Sequence, residues 1–162
     1  MSNHNLYIHG ADGAAQPASS EQILAAARQV LAHRVRRGAS LHSPQKVREY
    51  LTVRLGHLDH EVFGLILVDR RNRVIECVEL FRGTIDGASV HPREVVKLVL
   101  EKSAAACLLF HNHPSGVNDQ SQADELITTR LRDALLLIDV RILDHLIVAN
   151  GSVLSFAERG LL

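Results

Sequence analysis

Residues Val62–Val68 read Val-Phe-Gly-Leu-Ile-Leu-Val, seven positions without one polar side chain. A strand with one wet face alternates apolar and polar residues, so an unbroken apolar run marks a strand covered on both sides. Ala105–Phe110 (Ala-Ala-Cys-Leu-Leu-Phe) is a second run of this kind. Both are far shorter than the roughly 20 residues that cross a bilayer as a helix. A chain with two such strands needs apolar helix faces above and below them, which restricts it to layered folds.

The remainder of the sequence supplies those layers. Ser19-Ser20-Glu21-Gln22 fits a capping box ahead of a helix with apolar positions Ile23, Leu24, Ala27, Val30 and Leu31. That helix runs out in the basic turn His33–Arg37 before Gly38. A second helix is expected from Ser43-Pro44 to near Gly56, with Val47, Tyr50, Leu51 and Leu55 facing the core. After Val62–Val68, Asp69–Asn72 reads as a turn and Val74–Phe81 as the returning strand. Arg82–Gly87 is a loop, and His91-Pro92-Arg93-Glu94 opens a helix with apolar Val95, Val96, Val99 and Leu100. Ser121 to about Leu137 is helical, Val140–Val148 a strand, and Asn150-Gly151 a tight turn returning Val153–Phe156 to the sheet. The order ααββαβαββ predicts an α/β (α+β) fold, a mixed β-sheet flanked by helices. By segment, 1–18 is expected as a flexible N-terminal arm, 19–42 as a helix and linker, and 43–162 as the main domain.

Composition narrows the function classes. The 162 residues suit one domain, with 46% hydrophobic and 22% charged residues. Lys+Arg and Asp+Glu balance at 18 each, so no net field draws in nucleic acid or an anionic membrane. Arg34, Arg36 and Arg37 form a local basic cluster, read first as a solvated helix end and second as a phosphate contact. Cys77 and Cys107 lie in apolar runs and form no CxxC motif, as expected of small buried hydrophobes in a reducing compartment. No basic segment followed by an apolar stretch opens the chain, so the expected location is cytoplasmic, with no membrane partner.

The second apolar strand delivers the chain into His111-Asn112-His113-Pro114. On an extended segment, side chains two apart project to one side, so both imidazoles can meet one ion. After six intervening residues, Pro114 is followed by Ser121-x-x-Asp124, which sets a carboxylate on the first turn of a helix. Two imidazoles and a carboxylate leave Zn²⁺ with net positive charge and an open coordination position, as a catalytic zinc requires. Those donors suit Zn²⁺ better than Mg²⁺ or Ca²⁺, and they also fit Fe²⁺ or Mn²⁺. Ser121-x-x-Asp124 equally fits a helix cap that needs no metal. Spacing does not separate the two readings, and a cap at Ser121 would also hold Asp124 in place. Glu61, Glu76 and Glu79 stand level as candidate bases on the strands.

His111-x-His113-Pro114 followed by Ser121-x-x-Asp124 resembles the JAMM motif of the JAB/MPN metalloproteases. From about Ser43 onward the chain is more closely similar to the bacterial RadC-like JAB family. The stretches Phe81–Asp86, Val90–Val95, His111–Gly116, Leu143–Val148 and Ser155–Gly160 carry that similarity. The resemblance implies a cytidine-deaminase-like JAB/MPN fold and a zinc held by His111, His113 and Asp124. It implies Glu61 as the general base and Ser121 as an oxyanion donor. Longer family members carry an N-terminal helix-hairpin-helix module, and this chain resembles the short form without it.

The function so implied is a zinc-dependent metallohydrolase acting on a peptide or isopeptide bond of a protein substrate. The alternative is a DNA-repair or mobile-element accessory protein acting with nucleic acid, and a third reading is a non-catalytic interaction domain. Other polar residues have structural readings first: His145 as a hydrogen-bonded core histidine, and Arg82, Asp86, His91 and Arg93 as turn or cap residues near a groove. Asn118 and Asp119 are read as loop-forming. Gly64 suits either a close backbone approach or a bulge.

Overall fold

Each apolar run becomes an interior strand of a five-stranded sheet. The computed structural model describes residues 6–9, 13–32, 37–41, 43–83 and 89–162. Along the chain these form β1 (Tyr7–His9), β2 (Ala15–Pro17), α1 (Ser20–Ala32), α2 (Pro44–Leu55), β3 (Val62–Val68) and β4 (Val74–Arg82). They continue as α3 (Pro92–Glu101), β5 (Ala106–Asn112), α4 (Gln122–Leu136), β6 (Arg141–Ala149) and β7 (Ser152–Ser155). The sheet order is β4-β3-β5-β6-β7. Only β5 and β6 pair in parallel, joined by the α4 crossover; the other neighbours are antiparallel. This is the mixed sheet flanked by helices that the sequence predicts, and it is consistent with a JAB/MPN fold.

The two faces of β3 are covered separately. Val62, Ile66 and Val68 pack with Ala106 and Phe110 of β5 against Val47, Tyr50, Leu51 and Leu55 of α2. Phe63, Leu65 and Leu67 pack with Cys107 and Leu109 against Val95 and Val99 of α3 and Leu131 and Leu135 of α4. Every residue of β3 is buried, as its composition demands. The turn after β6 places Asn150 and Gly151 at φ 46° and 75°, the left-handed pair that a two-residue hairpin needs.

Several details differ from expectation. β5 runs on through His111 and Asn112, because its backbone stays paired with β6 to the end. Ser19 and Gln22 do form a reciprocal capping box, yet α1 buries no residue. Its half-buried stripe is Ile23, Ala27 and Leu31, while Leu24 and Val30 face solvent. Leu100 of α3 is likewise exposed. In the stretch expected as an arm, β1 and β2 pair as a small antiparallel hairpin with all six residues exposed. Arg34 and Arg36 of the basic cluster, and Asp86, lie outside the described residues. Among the described residues, no helix is long and apolar enough to cross a membrane.

Gly64 sits where both proposed reasons apply. The β3–β4 register shifts between Phe63 and Gly64. A Cβ at residue 64 would lie 2.3 Å from the Phe110 ring and 2.4 Å from the Val78 carbonyl oxygen. Backbone cannot yield as a flexible side chain can, so Gly64→Ala is expected to destabilise the fold by about 1–3 kcal/mol. Chemical denaturation measures this, and an unchanged midpoint would show that the strands relax around the methyl.

Candidate metal centre

The site begins with strand parity. Cys107 and Leu109 face α3 and α4, so His111 turns to the same side. The chain stays extended for one further residue, His113 N–H donating to the Val148 carbonyl at 2.9 Å. Pro114 and Gly116 (φ +78°) then turn it away, with Gly116 N–H donating to the His113 carbonyl. The two imidazoles converge, with their Nε2 atoms 3.0 Å apart.

α4 brings the carboxylate. Ser121 caps the helix: its Oγ accepts from Asp124 N–H at 3.1 Å and donates to Asp124 Oδ2 at 2.7 Å. Ser121 N–H donates to the same Oδ2 at 2.7 Å, completing the capping box. The cap leaves Oδ1 free, and it faces His111 Nε2 at 3.1 Å, while Oδ2 lies 3.4 Å from His113 Nε2. The cap therefore leaves Asp124 facing both histidines. Asp124 heads the helix stripe that continues through buried Thr128, Leu131 and Leu135, which points it at the sheet.

One potential ligand atom from each of His111, His113 and Asp124 falls within 4.8 Å of the others, a group that could hold a metal ion. The donor chemistry fits. His113 Nδ1 lies 2.9 Å from the Val117 carbonyl, which can only accept, so this nitrogen carries the proton and a neutral ring leaves Nε2 bare. Such lone pairs crowded beside a carboxylate repel one another unless a cation sits among them. A proton on His113 relieves the same crowding. The Asp124 carboxylate, with smaller help from the Val117 carbonyl and Glu61, raises the His113 pKa against the opposing effect of burial. Burial acts to raise Asp124, but His111, His113 and the Ser121 N–H together outweigh it and hold the carboxyl well below the usual range.

This cluster lines a cleft of about 460 Å³ together with Glu61, Ser121, Phe63, Val90, Leu126, Ile127 and Arg130. Phe63 pairs with His111 across β3 and β5, and Glu61, just before β3, lines the same cleft as His113. Glu76 and Glu79 are engaged on β4, with Lys102 at 3.1 Å and Arg54 at 2.8 Å, and neither lines the cleft. Of the three candidate bases, only Glu61 is brought to the site.

Two contributions were not legible in the sequence. Asn112, between the histidines, points to the opposite face, where its Oδ1 accepts from Val62 N–H at 2.8 Å and its Nδ2 donates to the His60 carbonyl at 2.9 Å. It thus clamps the backbone on both sides of Glu61. His145 is a buried, hydrogen-bonded histidine as expected, but its partner is His111, Nε2 to Nδ1 at 2.8 Å. Burial, reinforced by His111, holds the His145 pKa well below its ordinary value, so the ring is neutral. The available signal was a polar pair, Asp144-His145, inside an apolar strand, since a buried imidazole requires partners. Arg82, His91 and Arg93 lie against His60, Phe81 and Glu94 and do not line the cleft. Asp119 pairs with Arg159 at 2.6 Å, and Asn118 is an exposed loop residue.

Residues 41–161 match the family model of the RadC-like JAB domain. A UPF0758 protein of Stutzerimonas stutzeri (strain A1501) is 55% identical over 148 residues, covering 91% of this chain and 66% of that protein. UPF0758 proteins of Ectopseudomonas mendocina (strain ymp) and Marinobacter nauticus are 53% and 51% identical, covering 91% and 93% of this chain and 66% and 67% of their own lengths. The chain thus spans about two thirds of the length of these curated relatives.

The Asn112 clamp can be weighed. Asn112→Ala would leave the Val62 N–H buried without an acceptor, an expected loss of about 1–3 kcal/mol. A urea denaturation midpoint equal to that of the wild type would show that the clamp carries no weight.

Proposed function

The chain belongs to the RadC-like JAB domain family, and from that premise we propose that it is a zinc-dependent hydrolase cleaving a peptide or isopeptide bond. The observation that carries the reading is the convergence of His111, His113 and Asp124 in a cleft that Glu61 also lines. Those three residues would hold the ion, and two nitrogens with one oxygen favour zinc while leaving a coordination position open. The substrate would be a protein or peptide. The free thiols Cys77 and Cys107 suit a reducing, cytoplasmic setting.

Bound zinc would supply Lewis acidity, bringing the pKa of a water toward neutrality and polarising the scissile carbonyl. Glu61 is the general base that removes a proton from the attacking water. As the C–N bond breaks, the same carboxyl returns that proton to the leaving nitrogen. Ser121 lines the cleft, and its hydroxyl turns from Asp124 Oδ2 to donate to the developing oxyanion. Phe63, Val90, Leu126 and Ile127 supply the apolar part of the cleft lining.

Elemental analysis of the purified chain is expected to give about one zinc per chain. His111→Ala and Asp124→Ala should lose that metal while keeping their far-ultraviolet circular dichroism. Glu61→Gln should keep the zinc and lose about 10²- to 10⁴-fold in hydrolysis of an isopeptide or peptide substrate. Wild-type turnover by Glu61→Gln would remove Glu61 from the role, and a chain that takes up no zinc would overturn the reading.

A further inference from the structure

Behind the ligands runs a buried polar chain that the proposed chemistry does not use. His111 Nδ1 meets His145 Nε2 at 2.8 Å, His145 Nδ1 meets Thr128 Oγ1 at 2.6 Å, and Thr128 Oγ1 meets the Asp124 carbonyl at 2.5 Å. His111, His145 and Thr128 are each at most 1% exposed, so water cannot replace any of these partners. We propose that His145 and Thr128 are positioning residues for the metal site, fixing the tautomer of His111 and tying it to the helix turn that carries Asp124. This inference rests on the metal site proposed above.

The direction of the chain follows from its far end. A backbone carbonyl can only accept, so the single Thr128 hydroxyl proton goes to Asp124. Thr128 Oγ1 must then accept from His145, which places the His145 proton on Nδ1. With that proton on Nδ1, His145 offers Nε2 as the acceptor for His111 Nδ1–H at 2.8 Å. His111 therefore presents an unprotonated Nε2 toward His113 Nε2 and Asp124 Oδ1. Every donor in the sequence has one acceptor, and reversing the order would leave Thr128 one proton short.

Packing fixes the rings as well as their protons. Phe63 stacks on His111 at 6.1 Å with an interplanar angle of 19° and meets His145 edge-on at 5.7 Å. Phe156 also packs on His145, with ring centroids 4.7 Å apart. The chain crosses three elements, β5 to β6 to α4, and returns to the residue whose carboxylate is itself a ligand. Two ligands on different elements are thus held in register by a pair that never touches the ion. Partners of this kind change metal affinity by about 10- to 100-fold when removed.

Zinc affinity, measured by competition with a chromophoric chelator, separates this role from mere packing. Thr128→Val keeps the shape and removes the hydroxyl, and it is expected to weaken zinc binding about 10- to 100-fold. Thr128→Ser restores the hydroxyl and is expected to bind close to wild type. Equal affinities for the Val and Ser variants, whether both normal or both weakened, would overturn the inference. Long-range ¹H–¹⁵N spectra of the unloaded chain add a second reading. They should show His111 and His145 both protonated at Nδ1; a proton on Nε2 of either ring would overturn the proposed order. If the wild type binds zinc while these variants behave alike, the inference fails and the proposed function stands. If the wild type binds none, both fall.

Discussion

The antiparallel pairing of β3 with β5 is the contact on which the other layers and the site depend. Both strands bury almost every residue, so each needs the other's backbone hydrogen bonds and helices on both sides. The pairing of Phe63 with His111 sets which residues face α2 and which face α3 and α4. A slip of one residue would turn His111 toward α2 and move Glu61 off the cleft. Gly64 reinforces the register, because the Phe110 ring and the Val78 carbonyl approach where only a residue without Cβ fits.

On that frame, single groups satisfy more than one demand. Asp124 closes a capping box with Oδ2, which also lies near His113, and turns Oδ1 to His111. The helix N-terminus around it favours a negative charge in its own right. Asn112 and His111 are adjacent in sequence but serve opposite faces, one clamping the backbone beside Glu61 and the other facing His113 and Asp124. Buried imidazoles are costly unless every nitrogen has a partner. The chain from His111 through His145 to Thr128 meets that need and returns to the turn bearing Asp124.

What could be read from the sequence was local. Val62–Val68 declared itself a doubly covered strand because no register of that run exposes a polar side chain. The capping boxes at Ser19 and Ser121, the Asn150-Gly151 turn and the same-side placement of His111 and His113 follow from spacings of two to four residues. The apolar stripe of α1 is narrower than its sequence pattern, because helix periodicity does not say how wide a face its neighbour covers. Leu24 and Val30 are exposed for that reason.

The tertiary structure decided whatever depended on partners distant in the chain. Glu61, Glu76 and Glu79 are equivalent as candidate carboxylates, and only the folded structure sets one of them, Glu61, in the cleft with His113. Asn112 reaches His60 and Val62 fifty or more positions earlier. His145 meets His111 across 34 positions and Thr128 across 17. By itself the sequence determined that two strands must be enclosed and that two histidines share a side. Which carboxylate faces them, and which buried groups hold them there, was left to packing, since hydrogen bonds across layers form only once register and helix placement are settled.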